Sequence, residues 1–207
     1  MKKFPFLLIL FLSCLLSFAQ EASTKSISDY IAEILNHRKD KDKEFRTQND
    51  SPIPEDERKS FSGLKYYAPN PEYKVTATLE IFNNPFHFRM KTSTDRLPEY
   101  SLFGKVTFIL NGQELHLNVY QNVELLKKPG YENYLFIPFN DSTNGHETYA
   151  GGRFMDAQKP EGKIMTIDFN DAYNPYCAYN HKYSCPIPPL ENTLPVKLEA
   201  GEKKWHE

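Results

Sequence analysis

At 207 residues, with 25 basic against 27 acidic side chains, a formal net charge of −2 and no basic block, the chain carries no electrostatic footprint for nucleic acid. Both signs are mixed throughout, as on an ordinary soluble surface. The length is enough for one domain with a real core and too short for two ordinary ones.

The N-terminus reads Met1-Lys2-Lys3, then an apolar run from Phe4 to Leu16, then Ser17-Phe18-Ala19 before Gln20. A positive start, an apolar stretch and a small-x-small site spell a secretory signal peptide over 1–19, cleaved after Ala19. A membrane anchor needs about 20 apolar residues, and this run is shorter and carries Pro5. A lipoprotein at Cys14 is the alternative, opposed by Leu15, Leu16 and Phe18, which continue the apolar run past that cysteine. The chain is therefore expected to be exported, periplasmic or secreted, with no transmembrane segment after cleavage. Export leaves Cys177 and Cys185 in an oxidising compartment, where a disulfide is the expected state. So short a loop would gain roughly 2–3 kcal/mol from closure. A metal held by the two thiolates is the alternative; it needs one or two further ligands, and His181 is the obvious candidate between them.

Residues 20–60 read as a helical lead. Ile27, Tyr30, Ile31, Ile34 and Leu35 fall at i, i+3, i+4, i+7 and i+8, with Ser26 or Ser28 as a cap, which predicts an amphipathic helix over 23–48. Its second half, from His37 to Glu44, loses the stripe until Phe45 and is expected to run solvated with i, i+4 charge pairs. Pro52 and Pro54 break it, and Pro54-Glu55-Asp56-Glu57-Arg58 has proline and acids where a short second helix begins.

Residues 61–207 read as a β domain. Two-residue alternation predicts strands over 73–82, 86–92, 100–110, 114–119, 134–138, 152–155, 163–169 and 196–200. The fold class is thus mainly β, an antiparallel barrel or sandwich of about eight strands behind the helix. Asn111-Gly112 between alternating strands is the strongest hairpin signal. Leu115, Leu117 and Val119 go to the core, whereas His116, like His87, reads as an exposed strand residue. No Gly-rich phosphate loop, paired thiol motif or nucleophile elbow appears, so no cofactor is expected.

Two irregular stretches concentrate chemistry. In 140–153 a strand ends in a polar turn that supplies Asp141, His146, Glu147 and Tyr149 before Gly151-Gly152 and Arg153. Loops on a rigid β scaffold are common sites, and a His beside carboxylates is the usual acid/base unit. The structural alternative is an Asx-type turn closed by Asp141 and Thr143, with Arg153 paired to a carboxylate. The second stretch, 168–192, crowds Tyr173, Tyr176, Tyr179, Tyr183, two cysteines and several amides into a loop of a length that is usually functional. Pro175, Pro186, Pro188 and Pro189 stiffen it, as a binding wall or an inert cap requires.

The residues Asp141-x-Thr143-x-Gly145-x-Glu147-Thr148-Tyr149-x-x-Gly152-Arg153 are followed by Asp168-Phe169-Asn170-x-Ala172-Tyr173-Asn174-Pro175-x-Cys177-Ala178-Tyr179. Cys185-Pro186-x-Pro188-Pro189-x-Glu191-Asn192-x-Leu194-Pro195 and Ala200-Gly201-Glu202-Lys203 complete a pattern over about 31–203. It resembles the bacterial domain-of-unknown-function family numbered 1684. The resemblance implies a mostly β domain behind a short helical lead and no established activity. It also implies that relatives without export signals carry the two-cysteine loop, which gives thiol or metal chemistry more weight; the disulfide stays the favoured state here.

Three functions follow. The first is a small-ligand binder at the mouth of the barrel, using Tyr149, Arg153, Asn170, Tyr173, Asn174 and Asn192. The second is a metal-assisted or acid/base hydrolase in which Asp141, His146, Glu147 and Asp168 converge, with Arg153 stabilising negative charge. The third is a structural or interaction protein of the envelope.

Overall fold

The computed structural model of the protein describes residues 6–206, with side chains from Ser26 onward. The signal peptide over 1–19, its cleavage point and the alternative at Cys14 therefore fall outside the described side chains. The backbone is helical from Phe6 to Thr47 (α1), ending within a residue of the predicted stop, and Glu55–Arg58 forms the short second helix (α2). Among the described residues no helix is long and apolar enough to cross a membrane.

Six strands follow: β1 (Lys74–Arg89), β2 (Glu99–Leu110), β3 (Gln113–Asn122), β4 (Tyr134–Phe139), β5 (Arg153–Gln158) and β6 (Ile164–Asp168). They form one antiparallel sheet in the order β5-β4-β3-β2-β1-β6. Neighbours in the sheet are neighbours in sequence except at β6, which returns to the far side of β1. A short connection joins β5 to β6, the two edges of the sheet, so the sheet must curl until those edges face each other. The result is a half-barrel with an unladdered seam. A cavity of about 170 Å³ marks the seam, lined by Met155, Asp156 and Ala157 on one side and Thr166, Ile167 and Asp168 on the other.

Eight predicted strands become six for two local reasons. The stretches 73–82 and 86–92 are one strand, β1, whose register against β2 slips between Ile81 and Phe86. Gly104 of β2 sits at that bulge: a Cβ there would lie 2.3 Å from the Glu80 carbonyl oxygen, so no larger residue allows the approach. The stretch 196–200 is extended and alternates, with Leu198 and Ala200 buried, but it forms no ladder. The Leu198 and Ala200 carbonyls accept from the Arg153 guanidinium instead of from a neighbouring strand. The Asn111-Gly112 hairpin is as predicted, with φ of 51° and 75° at the two turn residues.

Three apolar layers are stacked outward. The concave face holds Val75, Ala77 and Leu79 of β1, Val106 and Phe108 of β2, Leu115, Leu117 and Val119 of β3, and Ile137 of β4, closed by Phe169, Leu194 and Leu198. The opposite face carries Tyr100, Tyr120, Phe136 and Phe154, against which the 168–192 stretch lays Cys177 and Cys185. Outside that, Phe45 of α1 meets Ile53, Phe61 and Tyr179, with Trp205 packed alongside. The 168–192 stretch is therefore a middle layer between sheet and helix.

That layering corrects the reading of α1. The buried helical positions are Ile34, Arg38 and Phe45, whereas Ile27 and Leu35 are 46% and 51% exposed. The stripe that touches the domain runs through Tyr30, Ile34, Arg38, Lys41 and Phe45, and its cations are used: Arg38 donates to the carbonyls of Tyr67 (2.7 Å) and Asn170 (3.1 Å). The charge-rich second half, expected to be solvated, docks as well, through Arg38, Lys41 and Phe45.

Candidate functional site

The polar residues singled out in the sequence are largely buried inside the fold. Asp141 and Arg153 form an ion pair of 2.7 Å with both side chains fully inaccessible. Asp141 also accepts from the backbone N–H (2.8 Å) and hydroxyl (2.6 Å) of Thr143, which closes the Asx turn. The two terminal nitrogens of Arg153 also donate to the Leu198, Ala200 and Glu202 carbonyls, while its buried Nε–H meets no acceptor among the described residues. The pair thus clamps the 193–203 segment to the end of β5.

Glu147 lies at the surface of the same turn, 3.3 Å from Lys197; its own backbone N–H and that lysine hold its carboxyl below the usual range. His146 is exposed beside it. Asp168 belongs to a different network: it accepts from the Tyr30 hydroxyl (2.8 Å) and from the Asn170 backbone N–H (3.0 Å). Among the described residues, no hydrogen bond or ion pair links Asp168 to Asp141, His146 or Glu147. Asn170 donates to the Asn70 carbonyl and accepts from the Asn70 N–H, tying the entry of the β domain to the loop.

Asn174 and Asn192 act likewise. Fully buried Asn192 accepts from the Asn118 N–H (2.8 Å) and donates to the Asn118 (2.9 Å) and Pro138 (2.8 Å) carbonyls, replacing ladder bonds between β3 and β4. The backbone N–H of Asn174 donates to Glu202 (2.8 Å) and its side chain to the Lys203 carbonyl (2.8 Å). Glu202, 1% exposed, also accepts from the Tyr179 hydroxyl and from the Lys41 ammonium (2.6 Å).

Cys177 and Cys185 are both buried and unbonded. The Cys177 N–H points at the Cys185 sulfur (3.2 Å), and the Tyr149 hydroxyl lies 3.7 Å from the Cys177 sulfur. The hydrogen bond from the Cys185 thiol, ahead of smaller ones from Tyr149 and Ser93, holds the Cys177 thiol below its ordinary range against the effect of burial. The same bond and burial push Cys185 up.

A groove of about 650 Å³ lies between α1 and the 168–192 layer. The helix contributes His37, Asp40, Lys41, Glu44 and Phe45, at i, i+3, i+4, i+7 and i+8. The opposite side is built of Phe154, Asp156, Tyr173, Tyr176, Tyr183 and Cys185. Edge-to-face contacts link Phe45 to Tyr176 (6.1 Å between centroids) and Tyr176 to Tyr183 (5.2 Å), making a continuous aromatic wall. Asp156 accepts from the hydroxyls of Tyr134 (2.6 Å) and Tyr173 (2.8 Å), and burial together with that carboxylate keeps both phenols neutral.

Of the predicted ligand-binding residues, Tyr173 lines this groove. Tyr149 lies behind it against Cys177, Asn170 and Asn174 are buried in the loop that walls it, and Arg153 and Asn192 are buried at the 193–203 clamp and the β3–β4 bridge, outside its lining. Sequence reasoning missed the helical wall and Asp156. The helical spacing from His37 to Phe45 was present as a signal, hidden because four of the five residues are polar.

A family model described as a protein of unknown function, DUF1684, matches residues 59–203. A solved relative is the solution NMR structure of an uncharacterised protein from Haloarcula marismortui, 35% identical, covering 86% of this chain and 96% of its own with a TM-score of 0.66. No curated protein matches.

Proposed function

The chain belongs to the DUF1684 family of unknown function, and we propose that it is an exported β-domain protein that binds a small ligand in the groove between α1 and the 168–192 layer. The observation that carries this reading is the groove itself. About 650 Å³ lined by Phe45, Tyr173, Tyr176 and Tyr183, with a few polar groups placed among them, is the usual make-up of a small-molecule site. Its walls are held before any ligand arrives, by Asn170, Asn174, Glu202 and four prolines, so little ordering would be charged against binding.

The site lies on the outer side of the sheet, away from the turn at 140–153. The hydrolase alternative has less to rest on: Arg153 already neutralises Asp141, and Asp168 answers to Tyr30 and Asn170. Burial of the motif residues accounts for them through folding alone, so they do not count as evidence for a site. Export belongs to the same reading. It implies a mature chain beginning at Gln20, which keeps the docking stripe of α1, and a disulfide between the adjacent Cys177 and Cys185.

The test is a thermal-shift screen of residues 20–207 against small polar-aromatic metabolites, repeated with Tyr176→Trp, which fills the groove from a 44% exposed position. Compounds that raise Tm in the natural chain and not in the variant support the reading; a broad screen without such compounds sinks it. Intact mass of the exported protein reads both the N-terminus and the loss of two hydrogens on disulfide formation.

A further inference from the structure

We infer that the groove selects an organic cation: a small ammonium with an apolar body. This deepens the ligand-binding reading above and rests on it. The inference starts from the charges on the groove wall. Asp40, Glu44 and Asp156 line it, and among the described residues none of the three forms an ion pair. Asp40 and Glu44 are four residues apart on one helical face, an arrangement of like charges that weakens a helix when nothing positive sits between them. The one lysine in the lining, Lys41, is already neutralised by the buried Glu202 at 2.6 Å. The surplus charge facing the groove is therefore negative.

The second observation is how the molecule treats its own cation there. The Lys41 ammonium sits 5.3 Å from the ring centroid of Phe45 and 4.9 Å from that of Tyr173, both groove residues. The groove already stabilises a positive group on aromatic faces at its inner end. Tyr176 and Tyr183 extend the aromatic wall outward past Lys41, and Asp156 stands beside Tyr173 with its carboxylate fixed by two phenol donors. Asp156 thus presents a carboxylate, held in place by two phenol donors, next to an aromatic face. An ammonium placed against Tyr176 gains the ring and the carboxylates together, and an apolar body fills the remaining aromatic wall; the Tyr183 ring already carries the Lys182 ammonium, 5.0 Å from its centroid. An anion of the same shape meets three unpaired carboxylates.

Three probes of one shape and different charge separate the outcomes: 2-phenylethylammonium, 2-phenylethanol and phenylacetate, titrated at pH 7 and low salt into ¹⁵N-labelled residues 20–207. The expected result is binding of the ammonium at least about tenfold tighter than the alcohol, the size of one ring contact plus one partly exposed ion pair. Phenylacetate should be weakest. Shifts should map to residues 37–45 and 173–186. In Asp40→Asn/Glu44→Gln/Asp156→Asn, which touches no buried ion pair, the preference should fall below about threefold with the spectrum otherwise unchanged. Equal or stronger binding of the alcohol or phenylacetate overturns the charge inference and leaves the groove as a ligand site. If none of the three moves a groove resonance, this inference fails; the groove reading itself fails only if the broader screen is also empty.

Discussion

Replacing Asp141 with Asn tests whether the motif shared by the 140–153 turn and the C-terminal segment is a structural clamp. Asn keeps one acceptor oxygen for the Thr143 N–H and hydroxyl, which now bond Asp141 at 2.8 and 2.6 Å, so the turn itself can persist. What is lost is the charge opposite Arg153, whose side chain is 0% exposed. Breaking a buried pair from one side costs about 3–5 kcal/mol, because the remaining charge has no counter-ion. The retained hydrogen bonds place Asp141→Asn at the low end, about 3 kcal/mol, and Asp141→Ala higher, since Thr143 and the Leu198 N–H then lose their acceptor too. Either is a large share of the roughly 5–15 kcal/mol that holds a domain. Urea unfolding followed by the single tryptophan, Trp205, provides the assay, since that ring packs against Phe61 and Tyr179 and reports on the outer layer; far-UV circular dichroism follows the sheet in parallel. A loss below about 1 kcal/mol for Asp141→Asn would refute the clamp and return Asp141 to the list of groups free for chemistry.

Asn192→Asp presents a carboxylate to the Asn118 and Pro138 carbonyls where an amide now donates, and should cost about 3 kcal/mol or more by thermal unfolding; a change under about 1 kcal/mol contradicts the bridge between β3 and β4. Gly152→Ala should destabilise by at least about 2 kcal/mol, because φ is +88° and the added Cβ would stand 2.5 Å from Pro188 and 2.8 Å from the Phe139 carbonyl oxygen. Glu202→Gln leaves the Lys41 ammonium without its counter-charge and should speed hydrogen exchange in residues 38–47 while barrel amides stay protected; uniform exchange across the chain speaks against it. The reduced protein should show a Cys177 thiol ionising below the ordinary value of about 8.5. With a folded-state value lower than the unfolded one, the thiolate is favoured in the native state above that lowered value, and the contribution disappears as pH falls through it. The alkylation rate of Cys177 should thus level off at lower pH than a model thiol, and Cys185→Ala should move the profile up; an unshifted profile rejects the thiol contact.

The antiparallel β character of the domain was legible because its signal is local. Alternation in β3, with Leu115, Leu117 and Val119 on one side, and the Asn111-Gly112 turn follow from two-residue periodicity and backbone sterics. The joining of 73–82 to 86–92 was not legible, because the bulge depends on Gly104, a residue of the neighbouring strand. Nor was the absence of a strand at 196–200, which depends on a guanidinium more than 40 residues upstream. The site was half legible. The aromatic 168–192 stretch reads in the sequence as a binding wall or an inert cap, and the structure brings its Tyr173 to the groove. The helical wall was missed because hydrophobic periodicity looks for apolar stripes, and the docking stripe of α1 uses Arg38 and Lys41 where apolar residues would ordinarily stand.

That exchange of apolar for cationic residues ties the groove to the fold. A helix docked by leucines would bury its whole inner face and leave no opening. Arg38 and Lys41 instead reach across to buried acceptors, the Asn170 carbonyl and the Glu202 carboxylate, while Phe45 seals the far end against Tyr179. Long side chains of this kind hold two elements together at a distance. The space beside Lys41, walled by Tyr173 and Tyr176, is the groove. The buried amides and Glu202 fix the loop side of it, and Lys41 lies on Tyr173 as the link between the two. The buried Asn170 and Asn174 therefore act one step behind the site: they hold its loop wall, and the aromatic and acidic side chains in front of them face whatever enters.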